Sequence, residues 1–177
     1  MVTRERTRNG RKPCTSMVIV DAQSVKNTDT ARMKGYDAGK KISGIKRHIA
    51  VDTNGLPHAL AVTTANITDR TGALIMFKNN KQNMPLVKKV LADGGYTGTK
   101  FQDKVTELLD AEVEIAKRSE LHTFAVIPKR WIVERSFSWL EKCRRLWKNC
   151  ERLIASSIGM IQLVFIRLLG VKAIFRC

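Results

Sequence analysis

The sequence predicts an α/β domain: a five-stranded mixed sheet flanked by helices, with a helical C-terminus. Three observations predict it. Short β-branched runs, among them "MVIV" and the pair around "DTNG", alternate with stretches of helical periodicity. The 177 residues, 44% apolar, suffice for one hydrophobic core and hardly for two. The element order buries a single core if the ambiguous stretch before Asp93 is a strand, giving β-β-β-α-β-α-β-α.

Residues 1–13, "MVTRERTRNGRKP", form a basic arm that is expected to be solvated and mobile and able to reach phosphates; residues 14–177 form the domain. "SMVIVDAQ" is a strand whose apolar run ends at Asp21, and the polar residues 29–44 read as a loop. "IKRHIAVDTNGLPHALAVTTAN" is a hairpin, with Asn54-Gly55 expected to supply the positive φ angles of a tight turn. Alternation puts Ile45, Arg47, Ile49 and Val51 on one face of its first strand. His48 and His58 are strand residues, and Asp52 belongs to the turn. Thr68 caps a helix that carries Ala73, Leu74, Met76 and Phe77.

"LVKKVLADGGYTG" has two local readings. Pro85 and the glycines suit a short capped helix, which makes Asp93 a turn residue. A buried strand instead delivers Asp93 to its C-terminal end, and sheet topology leans that way. After it, "GTKFQDKVTELLDA" is an amphipathic helix with Phe101, Val105, Leu108 and Leu109 inward, and "AEVEIAKR" alternates as a strand. A long helix runs through "PKRWIVERSFSWLEKCRRLWKNC" from Pro128, and a last helix starts near residue 152.

Charge is the outlying feature. The chain has 32 Lys and Arg against 16 Asp and Glu, a net +16, which points to a polyanionic partner, nucleic acid before a membrane surface. Cys14, Cys143, Cys150 and Cys177 lack the spacing of a zinc site, and no signal peptide is evident, so reduced thiols in the cytoplasm are expected. The apolar tract 153–175 contains Gln162, Arg167 and Lys172, and its uncharged run from Leu153 to Ile166 is too short to span a bilayer. It reads as a buried or partner-facing helix, with no membrane role.

In so cationic a chain the acids at strand ends or inside apolar helices stand out: Asp21 after "VIV", Asp93 after "VLA", and Glu134 within "RWIVERSFSWL". Hard divalent cations prefer oxygen ligands, and two such ions about 4 Å apart activate and stabilise the oxygens of phosphodiester cleavage. Taken singly, each acid has an ordinary explanation as a turn, cap or solvent-facing residue.

Four separated motifs, "IVDAQSVKNT", "GKKISGIKRHIAVDTNGLP", "LADGGYTG" and "PKRWIVERSFSWLEKCRRL", occur in the right order from about Gly10 to Glu151. Together they resemble the catalytic domain of bacterial insertion-sequence DDE transposases. The resemblance implies a ribonuclease-H-like fold, with metal-binding catalytic acids at Asp21, Asp93 and Glu134. Between these acids lie 71 and 40 residues, which leaves no room for a large inserted domain before the last one. It implies two Mg2+ or Mn2+ ions, nicking at element ends, and attack of the freed 3′-hydroxyl on target DNA. Arg130 matches a family arginine expected to contact DNA near the cut, while Lys142, Arg144 and Arg145 suit phosphate contacts. Trp131 and Trp139 could stack on a displaced base, though core packing is the commoner use of Trp.

The sequence also departs from the pattern. Ile127 replaces the family tyrosine, and Glu141 stands where a lysine is expected, with Lys142 one step away. The chain starts only twenty residues before the first aspartate, so a separate N-terminal DNA-recognition domain is expected to be absent. The expected function is DNA transposition by a nucleoid-associated cytoplasmic enzyme, acting on double-stranded DNA as a homodimer. Two other readings stand beside it: a catalytically silent DNA-binding fragment that regulates a full-length transposase, and a ribonuclease-H-like nuclease without strand transfer.

Overall fold

A computed structural model of the chain describes residues 1–116 and 130–174, with side chains described as far as residue 170. Ile127 and Pro128, the end of the "AEVEIAKR" stretch, and Cys177 lie outside the described residues.

The sheet is mixed. Strands β1 (Met17–Lys26), β3 (Ile42–Val51) and β4 (Pro57–Thr64) are antiparallel, while β5 (Lys89–Ala92) and β6 (Glu112–Ile115) run parallel to β1. Across the sheet the order is β4-β3-β1-β5-β6. A sixth, three-residue strand, β2 (Gly35–Asp37), pairs with the start of β3, inside the stretch expected to be all loop. It has no β-branched run of its own, and only its antiparallel partner at Ile42–Gly44 makes it a strand.

Helices cover both faces. On one side α2 (Asp69–Asn80) and α3 (Thr99–Leu109) bury Val18, Val20, Val90, Met76, Phe77, Phe101 and Val105. On the other, α4 (Arg130–Glu141) and α5 (Ile154–Ile174) enclose Ile19, Val25, Ile45, Ile49, Leu91, Val133, Phe137, Ile161 and Phe165. Because both faces of β1 and β3 are packed, their alternation sorts residues between two cores rather than between core and water. The Thr68 hydroxyl caps α2 by accepting from the Thr71 amide, as expected. α3 turns Phe101, Val105 and Leu109 inward, with Leu108 half-buried. No described helix is long and apolar enough to cross a membrane. In α5, Leu163 and Ile166 face outward.

Two local expectations give way. The long helix through residue 150 stops at Glu141. Beyond it the Asn149 amide donates to the Lys26 carbonyl, its carbonyl accepts from the Thr28 amide, and Leu146 enters the core. Pairing with the end of β1 thus replaces helical hydrogen bonds. In the hairpin only Gly55 has a positive φ, at 80°. The Asp52 side chain organises the rest, its Oδ1 accepting from the Asn54 and Leu56 amides at 2.8 and 3.0 Å.

The basic arm is not a free tail. It contains α1 (Val2–Arg8), and Arg6 is buried with its guanidinium on the Asp52 carboxylate and its Nε donating to the Lys12 carbonyl at 2.9 Å. A buried carboxylate attracted the arginine inward, so Asp52 anchors the N-terminal segment as well as forming a turn. His48 is a core residue: its Nε2 lies 3.0 Å from the Thr63 hydroxyl, and its ring packs on Gly72. Burial holds its pKa down at about 4.

Candidate active site

β1 and β5 are adjacent and parallel, with Ile19 beside Leu91 in the last paired register. Two residues further along each strand come Asp21 and Asp93, just past the end of that pairing. The ambiguous stretch is therefore a strand, and Asp93 follows it. Its backbone stays extended at φ −85° and ψ 178°, and its Oδ1 accepts the Gly95 amide at 2.9 Å, opening a single 3-10 turn over Gly94–Tyr96. Val87, Val90, Leu91 and Ala92 are buried, which explains why strand won over helix despite Pro85. Asp21 is not the last residue of its strand, since β1 continues against β3 to Lys26. It lies where β5 has ceased to cover that edge.

Alternation puts Asp21 on the same face as Ile19 and Val25, the side covered by α4. Arg130 and Glu134 share a face of that helix four residues apart, with Nε and Oε1 3.3 Å from each other. The Arg130 Nη2 also reaches Asp93 Oδ2 at 3.4 Å. Asp93, Arg130 and Glu134 thus form one chain of ion pairs. Asp21 joins it electrostatically. Burial, followed by the Asp93 charge, pushes its pKa up to about 6, against the Ala22 amide, Arg130 and Lys40, which pull it down.

Among the described residues no three His, Cys, Asp or Glu side chains form a ready-made metal cluster. The Arg130 guanidinium stands between Asp93 and Glu134 instead. The donor chemistry nevertheless suits a hard divalent cation: carboxylate oxygens from two adjacent strands, just past their mutual pairing, and from a facing helix, one of them costly to leave charged without a cation.

The remaining candidates lie elsewhere. Lys142, Arg144 and Arg145 follow the end of α4, on exposed turns roughly 10 Å or more along from Glu134. Arg145 is engaged with Glu151 at 2.6 Å. Trp131 is not a core residue. It is 48% exposed, and the Arg135 guanidinium sits between its ring and that of Trp139, at 4.6 and 4.8 Å from their centroids.

Sequence reasoning missed two neighbours of the acids. Lys40 lies close enough to Asp21 to lower its pKa, and its Nζ donates to the Ala22 carbonyl at 3.2 Å. Tyr96 is buried, its hydroxyl has no partner among the described residues, and burial with the charges of Asp21, Asp69 and Asp93 raises its pKa. Its place three residues after Asp93 was the available signal for Tyr96. Lys40 had none, because its loop approaches β1 only in three dimensions.

Comparison with known proteins shows a family and a fold. The family model described as "Transposase DDE domain" matches residues 12–169. A Burkholderia cepacia protein named "Putative transposase for insertion sequence element IS402" is 36% identical over 118 residues, covering 62% of this chain and 54% of the relative. The chain thus spans about half the length of that relative. Among solved structures, the simian T-cell lymphotropic virus intasome in complex with PP2A regulatory subunit B56 gamma contains a chain similar at a TM-score of 0.56 and 14% identity, covering 86% of this chain and 47% of that one. The catalytic core domain of BIV integrase is similar at 0.52 and 12% identity, covering 86% and 82%. These likenesses concern the fold, which is ribonuclease-H-like.

Proposed function

The chain belongs to the transposase DDE domain family, and from that premise we propose that it catalyses DNA transposition by metal-dependent strand cleavage and strand transfer. One observation carries the reading: Asp21 and Asp93 lie just past the mutual pairing of two parallel strands, and Arg130 ties Asp93 to Glu134 on the facing helix. Asp21, Asp93 and Glu134 would hold Mg2+ or Mn2+, two ions per site. When bound, the ions supply Lewis-acid stabilisation of the phosphodiester oxygens and a nucleophilic oxygen at neutral pH.

The protein's own groups do the rest. Burial of Asp21 makes its charged form expensive, which favours a cation beside it. Arg130 fixes the Asp93 and Glu134 carboxylates, and its remaining N–H donors suit a phosphate oxygen near the cut. Tyr96 packs in the core beneath α2 and α3, near enough to Asp21 and Asp93 to feel their charges, and so supports the turn that carries Asp93. Lys142 and Arg144, exposed beyond α4, provide phosphate contacts that position the duplex without reading its sequence. The partner is double-stranded DNA, and the working enzyme is a homodimer that bridges two element ends.

The test is incubation with Mn2+ and a labelled element-end duplex in the presence of a target plasmid. Nicked ends and end–plasmid joints support transposition. Nicks without joints would identify a nuclease instead, and DNA binding with neither product would identify a silent fragment.

A further inference from the structure

The face of β3 that meets α4 and α5 carries Ile45, Ile49 and Val51, and in their midst Arg47, only 1% exposed. The Nε and Nη1 of Arg47 are buried and have no hydrogen-bond partner among the described residues. Burial lowers its pKa to about 10, and the opposing influence of Glu141 is the largest that any acid supplies. Glu141 does not bond to it, and spends its Oε1 on the Gln23 amide at 2.7 Å. A buried cation without a bonded counter-ion is costly, so an orphaned guanidinium in a folded core asks for an anion.

Space for one exists. A pocket of about 230 Å³ opens beside the side chain, lined by Gln23, Lys26, Arg47, Glu141, Trp147 and Lys148. Three of these are cations and one is a carboxylate. Trp147 is 61% exposed, and the Lys148 Nζ lies 4.5 Å over its ring. The position is informative too. Gln23 follows Asp21 by two residues on the same face of β1, and Arg47 is its cross-strand partner in the register. The pocket therefore lies roughly 7 Å along the strand from Asp21, on the side where α4 ends.

We propose that Arg47, with Lys26 and Lys148 at the rim, binds a backbone phosphate of the DNA strand whose neighbouring linkage lies at Asp21, Asp93 and Glu134. A guanidinium is a charge-assisted donor to a phosphate oxygen. A phosphate also offsets the cation that the fold leaves unpaired, while Trp147 offers an apolar face to the adjoining sugar or base. Glu141 opposes the phosphate, and three cations outweigh it. The proposal rests on the DNA-cutting reading and adds a second phosphate subsite to it.

The experiment uses the full chain and Arg47→Met, which keeps side-chain length and removes the charge. Melting is followed in chloride and in inorganic phosphate at equal ionic strength, and duplex DNA binding is measured by anisotropy. Phosphate is expected to raise the melting temperature of the wild type and not of the variant. The variant should melt higher in chloride and bind DNA about tenfold more weakly, the loss of one charge-assisted contact. If Arg47→Met does not fold, Lys26→Gln with Lys148→Gln serves at the rim, with a smaller phosphate shift and weaker DNA binding expected. A phosphate shift with unchanged DNA affinity in the variant would assign the pocket to free phosphate and overturn the DNA subsite. No phosphate shift in the wild type overturns the anion site altogether. Wild-type nicking, run in parallel, separates either failure from failure of the transposase reading.

Discussion

Asp21→Asn should make the protein more stable and less active. The Asp21 carboxyl has its pKa raised from 3.8 to about 6, chiefly by burial and then by the Asp93 charge. That rise means that folding works against the Asp21 charge by about 3 kcal/mol at neutral pH. A raised carboxyl pKa means the folded state takes up its proton before the unfolded state does. The penalty is therefore full above about pH 6, shrinks as pH falls, and is gone below the unfolded value near 4. Asparagine carries no charge at any of these pH values and keeps an acceptor for the Ala22 amide, which Asp21 Oδ1 now engages at 2.7 Å. In a metal chelator, Asp21→Asn should melt roughly 6–12 °C above the wild type at pH 7.5, with the gap closing towards pH 4. Thermal melts followed by circular dichroism across that range measure it. A variant that melts no higher at pH 7.5, or a gap that does not change with pH, would refute the reasoning.

Other consequences follow from neighbouring features. Asp52→Asn removes the counter-charge of the buried Arg6 guanidinium and should cost about 3–5 kcal/mol in urea denaturation; a loss below about 1 kcal/mol would contradict the anchoring role. Burial opposes the Asp52 charge, yet His58, the Leu56 and Asn54 amides and Arg6 hold its pKa below the ordinary value. Its contribution is thus present above about pH 4 and lost as pH falls through the folded value, so the variant's stability should depend less on pH in that acid range. Gly72→Ala would put a methyl group 2.0 Å from the His48 Cε1; overpacking of about 1–3 kcal/mol should exceed the helix-propensity gain of about 1 kcal/mol. Combining it with His48→Ala should recover much of that loss in thermal melts. DNA affinity should fall steeply with salt, and Lys142→Ala or Arg144→Ala should each reduce the log–log slope by about 1; a flat response would dissociate the net charge from DNA binding.

Much of the fold is written in local pattern. Thr68 as a cap, Phe101, Val105 and Leu109 as a stripe, and the β-branched runs of β1, β3 and β4 all need only neighbours in sequence to be read. What could not be read depends on partners far along the chain. β2 is a strand because β3 lies beside it, α4 ends because Asn149 pairs with the end of β1, and α1 is docked because Asp52 holds Arg6. The candidate site divides in the same way. Strand register places Asp21 beside Asp93, and an i to i+4 step places Arg130 beside Glu134, both legible once the strand is recognised. The contribution of Lys40, the buried hydroxyl of Tyr96 and the orphaned guanidinium of Arg47 depend on packing that no short window reveals. "LVKKVLADGGYTG" shows the boundary best, for its local signals suit a helix or a strand, and burial between two parallel neighbours made the choice.

The central claim is that Asp21, Asp93 and Glu134 act together on a phosphodiester. Its most direct test is Mn2+-dependent nicking of an element-end duplex by the wild type and by Asp21→Asn, Asp93→Asn and Glu134→Gln, each shown to be folded and to bind DNA. The account predicts nicking by the wild type, abolished by chelator, and a loss of at least about a hundredfold in every variant, since each removes a group that acts on the transition state. Nicking that survives any one of the three substitutions at near wild-type rate would contradict it.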